Sequence, residues 1–281
     1  MALDLRPSPI AGTWYEEDPA ILARRVDEYM DAAALPDIPG EVVAVVSPHA
    51  GHRYSGAVAG YAFAALRGRA PELAAVISPM HHPYPQPLIT TSHAAYGTPL
   101  GNIPVERAAV DFLNSELQSD LGLTLAPVPR DPEHSLEIEL PFLQRALSGP
   151  FALLPVMVRA QEPAVSEALG KALAKILRGR DFVLVASTDL SHFHDQKTAL
   201  AFDQAMLAQI EAFSPEGTFA VQRAGQGFAC GLGALAAVLW AARDLGADTV
   251  QILKHATSGD VTGDYSSVVG YGAAAILKRN L

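Results

Sequence analysis

Three hydrophobic stretches of this chain run straight into histidine or carboxylate. Val42-Val43-Ala44-Val45-Val46-Ser47 is followed by Pro48-His49-Ala50-Gly51-His52. Leu73–Ser78 is followed by Pro79-Met80-His81-His82, and Asp181–Ser187 by Thr188-Asp189-Leu190-Ser191-His192. Neutral imidazole and carboxylate are ordinary ligands for Fe²⁺, Zn²⁺ and Cu²⁺. Two histidines plus one anionic ligand leave coordination positions open, which is the arrangement of a catalytic site. A single histidine after a strand is ordinarily a loop or hydrogen-bonded core residue. Three such junctions in one chain point to a shared site. His134, after Asp131-Pro-Glu133, is a further acid/base candidate. Helix capping accounts for Ser135 and Glu137 beside it but leaves His134 unexplained. His93, His194 and His255 have less context and read as structural.

Cys230, in Gly225-Gln-Gly-Phe-Ala-Cys-Gly-Leu-Gly233, has two readings. One is a small buried hydrophobe at a helix entry. The other is a thiolate whose pKa is lowered by a helix N-terminus or a metal, with flanking glycines that let a ligand approach. Gly231-Leu-Gly233-Ala-Leu-Ala236 also has the form of a dinucleotide fingerprint, but no strand precedes it, so the required strand–turn–helix context is absent.

For these residues to meet, the elements before them must be parallel. Apolarity that is continuous rather than alternating, as in 42–47, 73–78 and 181–187, predicts strands buried on both faces. Further strands are predicted over 87–92, 123–126, 151–158, 249–255 and 267–277, with Pro155 arguing for an edge or a bulge in its strand. Helices are predicted over 21–34, 56–66, 104–118 (Pro104 in the first turn), 135–147, 162–177, 197–213 and 232–244. Strands alternating with helices make an α/β sheet covered on both faces. In such a sheet ligands bind beyond the carboxyl ends of the strands, where His49, His81 or His82, Asp189 and His192 would crowd together.

The 281 residues suffice for one large domain, and the absence of an internal repeat or linker favours a single one. A hydrophobic content of 49% against 18% charged residues excludes global disorder. The net charge of −10 argues against sequence-independent nucleic-acid binding and against an anionic membrane surface. The apolar run Gly227–Ala242 is too short and too rich in Gly and Ala for a membrane span. A single cysteine excludes an internal disulfide and any all-cysteine metal cage. With no secretory-type segment near residue 1, a cytoplasmic setting is the simplest expectation.

Taken together, Ala11-Gly-Thr-Trp-Tyr15, Pro48-His-Ala-Gly-His-Arg-Tyr-Ser-Gly56, Ser78-Pro-Met-His-His82, Tyr96-Gly-Thr-Pro-Leu-Gly101, Glu133-His-Ser-Leu-Glu137 with Leu140-Pro-Phe142, Ser187-Thr-Asp-Leu-Ser-His192 and Cys230-Gly231 resemble, in order, blocks of the Memo family. The resemblance implies one Memo-like domain over 1–281. Its implied fold is similar to the class III extradiol dioxygenases, an α/β three-layer sandwich with a largely parallel central sheet and helices on both faces. It implies a metal site on His49, His81 and Cys230, holding Fe²⁺ or alternatively Cu or Zn. Asp189 and His192 share that cleft, with His192 at the acid/base position, Asp189 orienting it, and His134 as a second proton-transfer candidate. Bacterial and archaeal proteins of this kind are labelled protein B of the AmmeMemoRadiSam system, which implies AMMECR-type and radical SAM partners.

The chain departs from the family pattern at His52, where Tyr is frequent, and at Ser78-Pro79-Met80, where Gly-Pro-Ser is frequent. His52 is therefore an added candidate ligand or proton donor, and the role of His82 stays open. A thiolate is softer than the glutamate of ring-cleaving enzymes and favours copper or zinc more. Ring cleavage therefore does not follow from the fold. The leading expectation is an iron- or copper-dependent oxidoreductase acting on a ligand in the cleft. The alternative is a non-catalytic protein that binds a peptide or partner there. Metal-free attack by Cys230, with His81 or His192 as base, ranks last.

Overall fold

The computed structural model describes residues 4–279. The first half contains β1 (Leu5–Arg6), α1 (Pro19–Asp31), β2 (Glu41–Ser47), α2 (His52–Ala64), β3 (Leu73–Pro79), β4 (Leu88–Thr91), β5 (Ala95–Thr98), β6 (Gly101–Pro104), α3 (Arg107–Leu121) and β7 (Ala126–Val128). After a 3-10 turn at Glu137–Glu139 come α4 (Leu140–Ala146), β8 (Ala152–Val158), α5 (Pro163–Leu177), β9 (Phe182–Ser187), β10 (His192–His194) and α6 (Gln196–Glu211). The chain continues through α7 (Pro215–Arg223), α8 (Leu232–Asp244), β11 (Thr249–Thr257), α9 (Gly259–Thr262) and β12 (Val268–Lys278).

The large sheet runs β10-β12-β2-β9-β3-β8-β4-β7, with β11 also paired to β12. Its centre, β2, β9, β3 and β8, is parallel. The flanks are antiparallel where β12 meets β2, β10 and β11, and where β4 meets β8. The register aligns the carboxyl ends of the central strands: Ser47 stands opposite Ser187, Ile77 opposite Ala186, and Pro79 opposite Val158. Residues after β2, β3 and β9 therefore leave the sheet along one edge.

Helices cover both faces, as the unbroken apolarity of β3 and β9 requires. On one face α8 lies against β3, β9 and β2, with α5 packed on α8 and α3 on α5. Leu232–Ala242 of α8 is buried without a break, which an all-apolar helix between sheet and helix demands. Its approach to α5 depends on Gly170, where a Cβ would come 2.7 Å from the Ala237 carbonyl oxygen. On the other face α2 packs on β2, β11 and β12, with α1 and α4 against it. No helix among the described residues is long and apolar enough to cross a membrane.

Three local expectations are corrected. Pro104 closes β6, a strand of a separate small sheet β1-β5-β6, and α3 begins only at Arg107. Segment 135–147 is a 3-10 turn followed by a short helix. Ser135 does not cap it, because its hydroxyl donates to the Pro79 carbonyl at 2.8 Å. The strand holding Pro155 is interior in the sheet order, but the β4 ladder on its flank reaches only Met157 and Val158, so Pro155 sits beyond that ladder's end.

Candidate metal centre

His49 leaves the end of β2 and His81 the end of β3, while His134 lies on the loop before the 3-10 turn. Their ligand nitrogens converge, one from each residue, all within 4.8 Å of one another. The rings of His81 and His134 stack at 4.8 Å between centroids, and His49 stands edge-on to both, at 5.2 and 5.6 Å.

Glu133 organises this cluster. One carboxylate oxygen accepts the His81 Nδ1–H at 2.9 Å and the His134 and Ser135 backbone N–H groups, each at 3.0 Å. The other accepts the His81 backbone N–H at 2.6 Å. His134 Nδ1 lies 3.2 Å from the same carboxylate, and His49 Nδ1 lies 2.9 Å from Ser187 Oγ. With each Nδ1 turned outward, Nε2 is the nitrogen left for the shared space. Outer partners that fix tautomer and ring direction in this way are the support that metal-binding histidines require.

The electrostatics agree. Burial, then His81 and His134, hold His49 far below the usual histidine range. Burial pushes His134 down to about 4 against the pull of Glu133, with further lowering from His81 and His82. Burial would raise Glu133, but the hydrogen bond and charge of His81, then His134 and the Ser135 N–H, outweigh it and keep the carboxylate well below its ordinary value. The centre is thus two imidazoles kept neutral, a third more open to solvent, and one anion behind them.

Asp189 and Cys230 form the wall beside His49. The Asp189 carboxylate accepts the His49 backbone N–H at 2.7 Å. Burial pushes it up to about 7 against the N–H groups of His49 and Ala50. Cys230 Sγ lies 3.1 Å from His49 Nε2 and accepts the Asp189 backbone N–H at 3.3 Å. Desolvation, then the Asp189 carboxylate, push the thiol up. Gly231 is needed here, since a Cβ would fall 2.5 Å from the Ser187 carbonyl oxygen. His192, half-buried, has its Nδ1 2.9 Å from the Leu190 carbonyl oxygen, and burial lowers its pKa.

Trp14 lies tilted against His134, with ring centroids 4.1 Å apart, and also lines a cavity of about 470 Å³ whose walls include Tyr54, Phe193 and Tyr271. Phe193 is 75% exposed and holds a φ of 61°, a left-handed conformation that is costly for an aromatic residue.

His49, His81, His134, Asp189, His192 and Cys230 are all brought to one edge of the sheet, but the grouping differs from the expectation in two respects. The group within 4.8 Å contains His134 with His49 and His81, whereas Cys230 Sγ approaches His49. Beside the stacked His81 and His134 rings, the Glu133 carboxylate accepts the His134 and Ser135 N–H groups and so ties down the 133–135 backbone that carries His134. Asp189 does not orient His192; it holds the backbone of His49, and the Leu190 carbonyl orients His192. His52 lies outside the cluster, buried between Tyr15 and Phe142 with Nε2 3.0 Å from the Ile138 carbonyl oxygen. His82 is exposed. His93 pairs with Asp4 and His255 with Asp203, as structural histidines do. No local sequence pattern marks Glu139, Ser187 or Trp14 as part of the site; for Glu133 the signal is its adjacency to His134.

A profile of the family described as Memo-like protein matches residues 6–275. A MEMO1 family protein of Thermotoga neapolitana is 36% identical over 284 aligned residues, covering 97% of this chain and 99% of that protein. One from Nitrosopumilus maritimus is 36% identical over 83% of each chain. One from Methanothermobacter thermautotrophicus is 34% identical, covering 95% of this chain and 98% of the relative.

Proposed function

The chain belongs to the family of Memo-like proteins, and from that premise we propose that it binds a redox-active divalent metal, iron or copper, on His49, His81 and His134 and uses it for oxidoreductase chemistry on a small molecule in the adjoining cavity. The observation that carries this reading is the convergence of three histidine nitrogens, each histidine with its Nδ1 directed at an outer partner. The donor set fits such an ion. Two of its members are held neutral, the lone pairs that remain are those of imidazole, and iron and copper accept imidazole readily. A metal held there would supply Lewis acidity and electron exchange to a ligand at the positions that three protein ligands leave open.

The chain's own groups do the rest. Glu133 and Ser187 fix the ligand rings. Trp14 places its ring against His134. His192, its Nδ1–H engaged by the Leu190 carbonyl, keeps Nε2 to take a proton from a ligand or return one. Cys230 places an oxidisable thiol against His49. Tyr54, Phe193 and Tyr271 contribute aromatic rings to the cavity wall, suited to a ligand with an apolar part.

The test is anaerobic purification with metal analysis of the parent, His49→Ala, His134→Ala and Cys230→Ser after loading with Fe²⁺. The parent is expected to hold one ion per chain and the two histidine variants to lose it. Metal content unchanged across all four proteins would overturn the reading.

A further inference from the structure

Ser187 Oγ makes three close contacts at once: 2.9 Å to His49 Nδ1, 2.7 Å to the Ser135 carbonyl oxygen and 2.7 Å to Glu139 Oε1. A hydroxyl has one hydrogen to donate and two lone pairs that accept. The Ser135 carbonyl can only accept, so the serine hydrogen belongs to it. The other two contacts are hydrogen bonds only if His49 Nδ1 and Glu139 Oε1 each bring a hydrogen of their own.

Two further observations agree with that count. Glu139 is fully buried, and its second oxygen is met by the Ser47 hydroxyl at 2.8 Å. No lysine, arginine or histidine hydrogen-bonds or pairs with it among the described residues, unlike Glu133 and Glu137. A buried carboxyl group with hydroxyls for company and no cation is more stable neutral, and burial pushes Glu139 up to about 8.

We propose that Glu139 is a neutral carboxylic acid and, with Ser187, a positioning pair that locks His49 in its Nδ1–H tautomer, so that the Nε2 lone pair faces the cation site. The last clause rests on the metal reading above. The tautomer and the neutral acid do not.

The experiment compares the parent with Glu139→Gln and Ser187→Ala at neutral pH. Infrared difference spectra of parent against Glu139→Gln report the carboxyl group. ¹⁵N spectra of His49 in the metal-free proteins report the tautomer, and Zn²⁺ titration reports affinity. The parent is expected to show a carboxylic-acid C=O band that Glu139→Gln removes. Because Gln supplies the same donor and acceptor as a neutral acid, Glu139→Gln should keep the Nδ1–H signal and the parent's Zn²⁺ affinity. Ser187→Ala should lose the Nδ1–H signal and weaken Zn²⁺ binding by about 10–100-fold.

Carboxylate bands alone in the infrared would overturn the proposal, and so would an unchanged His49 tautomer in Ser187→Ala. If Ser187→Ala does not fold, the infrared arm still decides. A parent that binds no Zn²⁺ but gives the expected spectra would remove the metal reading and leave this assignment standing.

Discussion

Two polar clusters share segment 131–137, and their hydrogen bonds close in different ways. In one, Arg6, 1% exposed, donates Nε–H to Asp131 at 2.6 Å, binds Glu137 and reaches the Glu133 carbonyl at 2.7 Å. Tyr15 and Ser8 supply Glu137 with hydroxyl donors, and the guanidinium lies 4.7 Å from the Tyr96 ring centroid. Each charge there has an opposite charge in contact. In the other, Glu133 ties down one nitrogen of His81 and stands beside one of His134, and the cluster's remaining nitrogens have no carboxylate to answer them. A buried network that satisfies itself fixes structure. One that anchors its outer atoms and leaves its inner lone pairs converging is prepared for a ligand from outside.

The largest expected effect falls on the closed network. Arg6→Met strands Asp131 and Glu137 without a cation and should cost about 3–5 kcal/mol of stability, measured by denaturant unfolding. His134→Ala should cost far less on the same assay. Equal losses would erase the distinction between the two clusters. Next comes the shared segment itself. Glu133→Gln keeps the shape but removes the charge behind His81 and His134, and cation affinity should fall by about 10–100-fold. Competition titration against a chelator would read this, and parent-like affinity would leave Glu133 a structural cap alone.

The smallest effect is on pH. Burial holds His49 and His134 below 6.5 and lowers His52 to about 4. Below pH 6.5 these three histidines therefore bind more protons in the unfolded chain than in the folded one, and their contribution to the stability of the metal-free protein should fall as the pH drops towards 4, against the opposite contribution of Glu139 and Asp189, whose raised pKa values favour the folded state there. His52→Phe, which keeps the packing on Phe142, should flatten that slope without touching cation binding. A slope unchanged in His52→Phe would mean that other groups carry the acid sensitivity.

Long-range hydrogen bonds mark where the sequence stops being readable. The central strands are legible because both faces are covered, so their apolarity is continuous. The bounds of α8 are legible because its apolar run is uninterrupted from Leu232. The gathering at the strand ends is legible, since parallel register brings His49, His81 and Asp189 to one edge. The small sheet is not legible, because β5 and β6 have four residues each and β6 is mostly exposed. Helix α7 goes unassigned although Ser214 and Pro215 carry a usable start signal, with the serine side chain accepting from the Gly217 N–H. Glu133 and Glu139 escape for another reason. Their partners lie in remote segments, 52 residues away for His81 and 48 for Ser187, and no local pattern records such contacts. The convergence of His134 with His49 and His81 likewise depends on the path of the loop at 133–135, which residue type does not record.

X-ray absorption of the Fe²⁺-loaded protein tests the central claim most directly. The expected first shell is nitrogen and oxygen scatterers without sulfur, unaltered in Cys230→Ser and losing imidazole scattering in His134→Ala. A sulfur scatterer in the parent's first shell that disappears in Cys230→Ser, with His134→Ala giving the parent spectrum, would contradict it.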